Sequence, residues 1–348
     1  MRENVKYYQE DNYAQLVRTV DLKKDFTNND FVYVDEFAYD FLWRVQLKEP
    51  NIVLPNIGAN IGEKYYVSPE NLPKEKNVLG PNAILLRSKC NDTHFVYFRL
   101  STSSYDNEMK KLVGASGQPK FNKTDLKKVR LFMPSLKEQK KISHFLGLLE
   151  ERIATQNKII DKLQSLIKGI RNNVFGKLRK SVGFNAMISD VLSYEQPQSY
   201  IVENTEYTAE GTPVLTANKA FVLGYTSETN GIYDKGDCII FDDFTLDCKY
   251  VDFPYKIKSS AIKILTAKNK EILRYTFEFL KYLDLSTDEH KRHYIAETQN
   301  QEFVLPTMQI VRTIAHAFSA LLLRMESVVK QRNMFETQKQ YLLRQMFI

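Results

Sequence analysis

Long apolar runs are missing from this 348-residue sequence. No segment reaches the roughly 18 uninterrupted apolar residues that a membrane span requires. Residues 1–15 contain no apolar run either, so no signal peptide is expected. Cysteine is scarce: Cys90, Cys238 and Cys248 are too few and too scattered for a disulfide framework. Together these absences point to a cytoplasmic protein without a membrane partner. Catalytic motifs are also lacking. Gly58-Ala59-Asn60-Ile61-Gly62 reads as a turn, without the Lys-Ser/Thr of a phosphate loop. There is no Asn/Asp-Pro-Pro-Tyr motif and no glycine-rich methyl-donor site. His290-Lys291-Arg292-His293 with Cys238 and Cys248 matches no common zinc spacing. Asp242, Asp243 and Asp247 read as a solvated acidic turn rather than a metal cluster. The expectation is a chain with no catalytic residues and no metal.

What is present is a repeat. Residues 134–175 and 306–347 align without a gap at an offset of 172 residues. Pro134 falls on Pro306, Ile142 on Ile314, His144 on His316 and Leu149 on Leu321. Arg152 falls on Arg324, Lys158 on Lys330 and Phe175 on Phe347. Stacked arrays need at least three units, so a single recurrence suggests two similar halves related by a pseudo-two-fold.

No proline occurs between Pro134 and Pro197, so nothing interrupts a helix there. Apolar residues step by four and three through Ile142, Leu146, Leu149, Ile153, Ile160, Leu163, Ile167, Ile170 and Val174, broken only by Gln156. This is a coiled-coil seam held for more than four heptads, on a helix roughly 60 Å long. The second copy repeats it with Ile314, Phe318, Leu321, Met325, Val328, Phe335, Leu342 and Met346. Arg332 and Lys339 intrude there. Each helix has one apolar stripe and needs a partner; the other copy, running antiparallel, is the natural one. His144 and His316, matched by the repeat, read as frame residues rather than catalysts.

Charge separates along the chain. Residues 137–180 carry 11 basic against 4 acidic residues, and residues 307–348 carry 6 against 2. Residues 1–136 carry 20 against 17, whereas residues 181–306 carry 12 against 19. The helices are therefore the basic parts, suited to lie near a polyanion. The two globular segments, one before the first helix and one between the helices, both read as mixed α/β. Gly211–Thr216, Asp237–Phe241 and Ser260–Leu265 resemble Ala14–Thr19, Asn51–Leu54 and Asn82–Leu86 in order and character. Phe95–Leu100 suits a strand or a helix equally well.

The segment Leu131-Phe132-Met133-Pro134-Ser135-Leu136-Lys137-Glu138-Gln139-Lys140-Lys141-Ile142 resembles the start of the spacer helix in specificity subunits of type I restriction–modification enzymes. The likeness continues through Leu149-Glu150-Glu151-Arg152-Ile153 to Val174-Phe175. It implies an α+β chain with two globular target-recognition domains, at 1–135 and 181–305. Two spacer helices, at 136–180 and 306–348, would pair as an antiparallel coiled coil. Each domain would read half of a split site on double-stranded DNA. The helices would set the spacing and dock methyltransferase subunits, with a restriction/translocase subunit joining the complex. S-adenosylmethionine, ATP and Mg²⁺ would sit on those partners and none on this chain. Only 15 residues precede Leu16, against about 31 between Phe184 and Leu215, so the first domain is expected to be short at its N-terminus or compact.

Side-chain types that contact phosphates and bases give a candidate set. In the first domain it is Arg44, Lys64, Tyr65, Lys120 and Arg87; in the second, Lys219, Tyr225, Lys249, Tyr250 and Lys258. Lys249 and Lys258 belong to a basic run that also includes Lys256, Lys263, Lys268 and Lys270. Two other readings start from the same residues: a stand-alone DNA-modifying or cleaving enzyme, and a coiled-coil scaffold that has lost DNA reading.

Overall fold

The computed structural model describes residues 5–58, 60–113, 120–217, 220–289 and 291–347. The chain divides into two compact units. One comprises Met1–Gln156 with Gln331–Ile348, and the other Asn157–Lys330. Each combines an α+β domain with a stretch of paired helix.

In the first unit, Ala14–Val17 is the middle strand of a three-stranded sheet. It pairs antiparallel with Val32–Val34 and parallel with Asn77–Leu79. Asn51–Pro55 is the middle strand of a second sheet, antiparallel to both Tyr65–Val67 and Ala83–Leu86. Ala14–Val17, Asn51–Pro55 and Asn77–Leu79 are buried along their whole length, as the interior strands of a small two-sheet core are, while the outer strands are partly exposed. Phe95–Leu100 lies within a helix, Thr93–Leu100. The Asp92 carboxylate decides this by accepting the Phe95 N–H at 2.8 Å, capping the first turn.

The second unit repeats that topology. Thr212–Leu215 pairs antiparallel with Val222–Thr226 and parallel with Lys256–Ile257. Cys238–Asp242 pairs antiparallel with Cys248–Val251 and with Ile262–Ala267. Leu192–Glu195 adds a fourth strand to that sheet. A helix, Leu273–Leu283, follows the last long strand, as Thr93–Leu100 follows Ala83–Leu86. The three strand correspondences read from the sequence are thus the three equivalent positions in the two domains.

The first long helix spans Leu136–Ser181 and the second Met308–Met346. In the first unit, Leu146 and Leu149 pack with Leu343 and Phe347, with Ile142, Phe335 and Leu342 at the margin. Arg152 lies over the Phe335 ring. In the second unit, Ile167 and Phe175 pack with Val311 and Phe318, bordered by Ile170, Ile314, Leu321 and Met325. Early residues of one helix thus meet late residues of the other in both units, the antiparallel sense. Ile153 and Val328 are buried, while Ile160, Leu163 and Val174 are half-buried. One seam position differs: Met346 is exposed, and its neighbour Phe347 is buried together with Leu343. His144 and His316 are both exposed.

The motif at the start of the first long helix has a local reason. Glu138 Oε2 accepts the Ser135 N–H at 3.0 Å and the Ser135 hydroxyl at 2.6 Å, one half of a capping box. Gln139 is almost fully buried. Its Oε1 accepts the Asp92 N–H at 2.9 Å, and its Nε2 donates to Asn91 Oδ1 at 2.8 Å and to the Pro134 carbonyl at 2.9 Å. Glu138 therefore starts the helix, and Gln139 ties it to the domain.

Candidate nucleic-acid interface

Both domains attach to their helices through charged side chains inside apolar surroundings. In the first unit, Glu150 of the long helix accepts from Lys339 at 2.6 Å. It also meets His94 Nε2 at 3.5 Å and the Tyr97 hydroxyl at 3.4 Å. Burial pushes the Glu150 carboxyl up, but His94 and Lys339 outweigh it and hold the group below its usual range. The His94 ring stacks between Tyr66 and Phe98, with centroids 4.3 and 4.5 Å away. Gly147 makes room for it, since a Cβ there would lie 3.1 Å from His94 Cε1. In the second unit, Arg171 of the same long helix donates through Nε and Nη2 to Glu278 Oε2 at 2.9 and 2.7 Å. Glu278 is fully buried, and burial raises its carboxyl despite the opposing pull of Arg171.

The candidate contact residues divide into two groups. Four are committed to internal bonds. Lys64 pairs with Asp106 and lies over the Tyr105 ring. The Tyr65 hydroxyl donates to Glu63. Arg87 donates to the Arg44 and Gln46 carbonyls at 2.9 and 2.7 Å and pairs with Glu49 at 3.0 Å. The Tyr250 hydroxyl donates to Asp237 at 2.6 Å under the Arg274 guanidinium. These four hold the domains together. Arg44, Lys120, Tyr225 and Lys258 are exposed and Lys249 half-buried. None of their side chains has a hydrogen-bond or ion-pair partner among the described residues. Lys219 lies outside the described residues.

Two expectations for the second domain are corrected. Asp242 and Asp243 are buried, so this is not a solvated turn. Asp242 accepts the Phe244 and Thr245 N–H groups, and Asp243 accepts those of His293 and Tyr294 while facing Lys263 at 3.4 Å. Among the described residues, no group of His, Cys, Asp and Glu could hold a metal. Lys256 and Lys263 are buried as well, the former paired with Glu228 at 2.5 Å, and so leave the basic run. In the first domain, sequence reasoning missed Phe37 and Trp43, which are 67% and 62% exposed. Arg44 lies 4.9 Å over the Trp43 ring. Exposed aromatics beside an arginine can stack on bases. The signal was available: Trp43 is the only tryptophan, and it adjoins a candidate arginine.

The chain thus holds two domains of one strand topology, each with free basic side chains and each docked on a stretch of the paired long helices. Residues 7–165 match the family model described as the type I restriction modification DNA specificity domain. The chain is 43% identical over 126 residues to the type I restriction enzyme EcoR124I/EcoR124II specificity subunit of Escherichia coli. That stretch covers 34% of this chain and 31% of that subunit, so the match spans about a third of the relative's length. The fold is shared with the crystal structure of a type I restriction–modification S subunit from M. genitalium, at a TM-score of 0.58 and 16% identity. There, 86% of this chain and 83% of the other are covered. Among the described residues, no helix is long and apolar enough to cross a membrane.

Proposed function

We propose that this chain is the DNA-reading specificity subunit of a type I restriction–modification enzyme and carries no catalysis of its own. The observation that carries this reading is the specificity-domain family match on residues 7–165 together with the same strand topology in a second domain. Each domain reads one half of a bipartite duplex site. The two readers differ in charge and in loop sequence, so the half-sites differ. Half-sites on one face of a duplex lie whole helical turns apart, about 34 Å each. In this reading the helices of 46 and 39 residues act as the ruler between the two half-sites. The partners are methyltransferase subunits, which hold S-adenosylmethionine, and a restriction/translocase subunit, which uses ATP and Mg²⁺. The complex works in the cytoplasm.

The test is selection of duplexes from a random pool by the full chain together with its methyltransferase subunits. A split sequence with a fixed gap is the expected product, bound with an affinity that falls steeply as salt rises. Absence of enrichment, or binding indifferent to salt, overturns the proposal.

A further inference from the structure

The second unit contains a cleft of about 550 Å³ between the end of the first long helix and the end of helix Leu273–Leu283. Lys168, Arg171, Asn172, Arg179 and Lys281 line it, against a single acid, Asp284. The rest of this acidic domain neutralises many of its own cations. Lys235 meets Glu195 at 2.9 Å and Lys256 meets Glu228 at 2.5 Å, while Lys263 and Arg292 share Asp243. In the cleft the pattern reverses. Lys168 and Asn172 have no hydrogen-bond or ion-pair partner among the described residues. Arg179 has only the face of Phe184, at 4.9 Å. Arg171 commits Nε and Nη2 to Glu278, leaving Nη1 open. Lys281 reaches its nearest carboxylate, Asp247, only at 3.8 Å.

The same place in the first unit is also a cavity, of about 260 Å³. Gln340, Leu343 and Arg344 line it from the second long helix, facing the hydroxyls of Ser101–Ser104 beyond helix Thr93–Leu100. Positions 340, 343 and 344 are the repeat partners of 168, 171 and 172. The repeat therefore reproduces the cavity, and both copies present hydrogen-bond donors of the kind that contact phosphate.

We infer that the cleft lined by Lys168, Arg171, Arg179 and Lys281 holds backbone phosphates of double-stranded DNA. The inference rests on the specificity-subunit reading. Lys168 and Arg179 are eleven residues apart, roughly 16 Å along a helix. One carboxylate of a protein partner cannot satisfy both, but successive phosphates of a strand can. Contacts of this kind position the duplex without reading its bases.

The experiment compares the full chain, with its methyltransferase subunits, against the double variant Lys168→Ala/Arg179→Ala. Both residues are exposed and lie off the seam, so folding is preserved. A Lys158→Ala/Lys162→Ala variant removes the same charge from the same helix outside the cleft. Affinity is measured from low to moderate salt on the selected duplex and on random duplex. The slope of log affinity against log salt should become shallower by about 2 in the cleft variant, close to one per lost phosphate contact. Affinity for both duplexes should fall by the same factor, and the control should stay near wild type. A slope unchanged, or reduced no more than in the control, overturns the inference. So does a loss confined to methyltransferase association. Failure to find any preferred sequence counts against the specificity reading alone, because the slope is read on random duplex as well.

Discussion

Lys339 Nζ lies 2.6 Å from Glu150 Oε1, joining the second long helix to the first inside the apolar surface formed by Leu146, Leu149, Phe335 and Leu342. Along the sequence, Lys339 interrupts a hydrophobic seam. In the fold it is the counter-charge of an acid that also meets His94 and Tyr97 of the domain helix. Removing one partner of a largely buried pair leaves the other uncompensated. Lys339→Ala should cost about 2–3 kcal/mol of stability by denaturant titration. Replacing both residues with leucine should cost less than the two single changes added together. A double-mutant coupling indistinguishable from zero would show that the pair is only a surface contact.

Acid should reveal the same group. His94 and Lys339 hold the Glu150 carboxyl below the usual carboxylate range. A depressed carboxylate contributes stability above its unfolded pKa and loses that contribution as pH falls through its folded pKa. Glu150→Gln should therefore flatten the stability profile below about pH 4.5. Parallel profiles for wild type and variant across that window would contradict the assignment.

The opposite sign applies at Glu278, whose carboxyl is raised by burial. Arg171→Met should cost about 3–5 kcal/mol near neutral pH, because an ionised carboxylate is left without its partner. A carboxyl with a raised folded pKa destabilises the fold when ionised, so stability should recover as pH drops through that value. Adding Glu278→Gln to Arg171→Met should restore most of the loss. An Arg171→Met variant whose deficit is independent of pH would show that packing, not charge, is responsible.

Asp243 supports the strand-to-loop turn of the second domain by accepting two backbone N–H groups and facing buried Lys263. Asp243→Ala should lower stability by at least 3 kcal/mol. Neither EDTA nor added Mg²⁺ should move the Tm of the wild-type chain. A chelator-induced drop of several degrees would point instead to a metal at Asp242 and Asp243.

The free and the committed basic residues should separate in a paired assay. Lys249→Ala/Lys258→Ala should leave the Tm within about a degree while weakening DNA binding and flattening its salt dependence. Lys64→Ala/Arg87→Ala should lower the Tm, because Lys64–Asp106 and the Arg87 bonds to two carbonyls are lost. Equal losses of DNA affinity at unchanged stability in both variants would erase the distinction.

The long helices, their antiparallel sense and the paired domain topology were legible because they rest on periodicity. A four-three apolar step and a two-fold repeat leave regular traces that one chain displays without any knowledge of its folded contacts. Gln139 stood inside the quoted motif, yet its bonds to Asn91, Asp92 and Pro134 join residues as many as 48 positions apart. Sequence determined where helix, strand and charge would fall. Only tertiary structure decided which charges are free. Lys64, Arg87, Lys256 and Lys263 look like surface cations in sequence, but the fold places a carboxylate or a carbonyl against each. Lys168 and Arg179 look no different, yet they line a cleft without an ion-pair partner among the described residues. The reason is physical: a helix or strand is specified by neighbours at fixed short spacings, whereas the pairing of a charge depends on groups brought close by the whole chain.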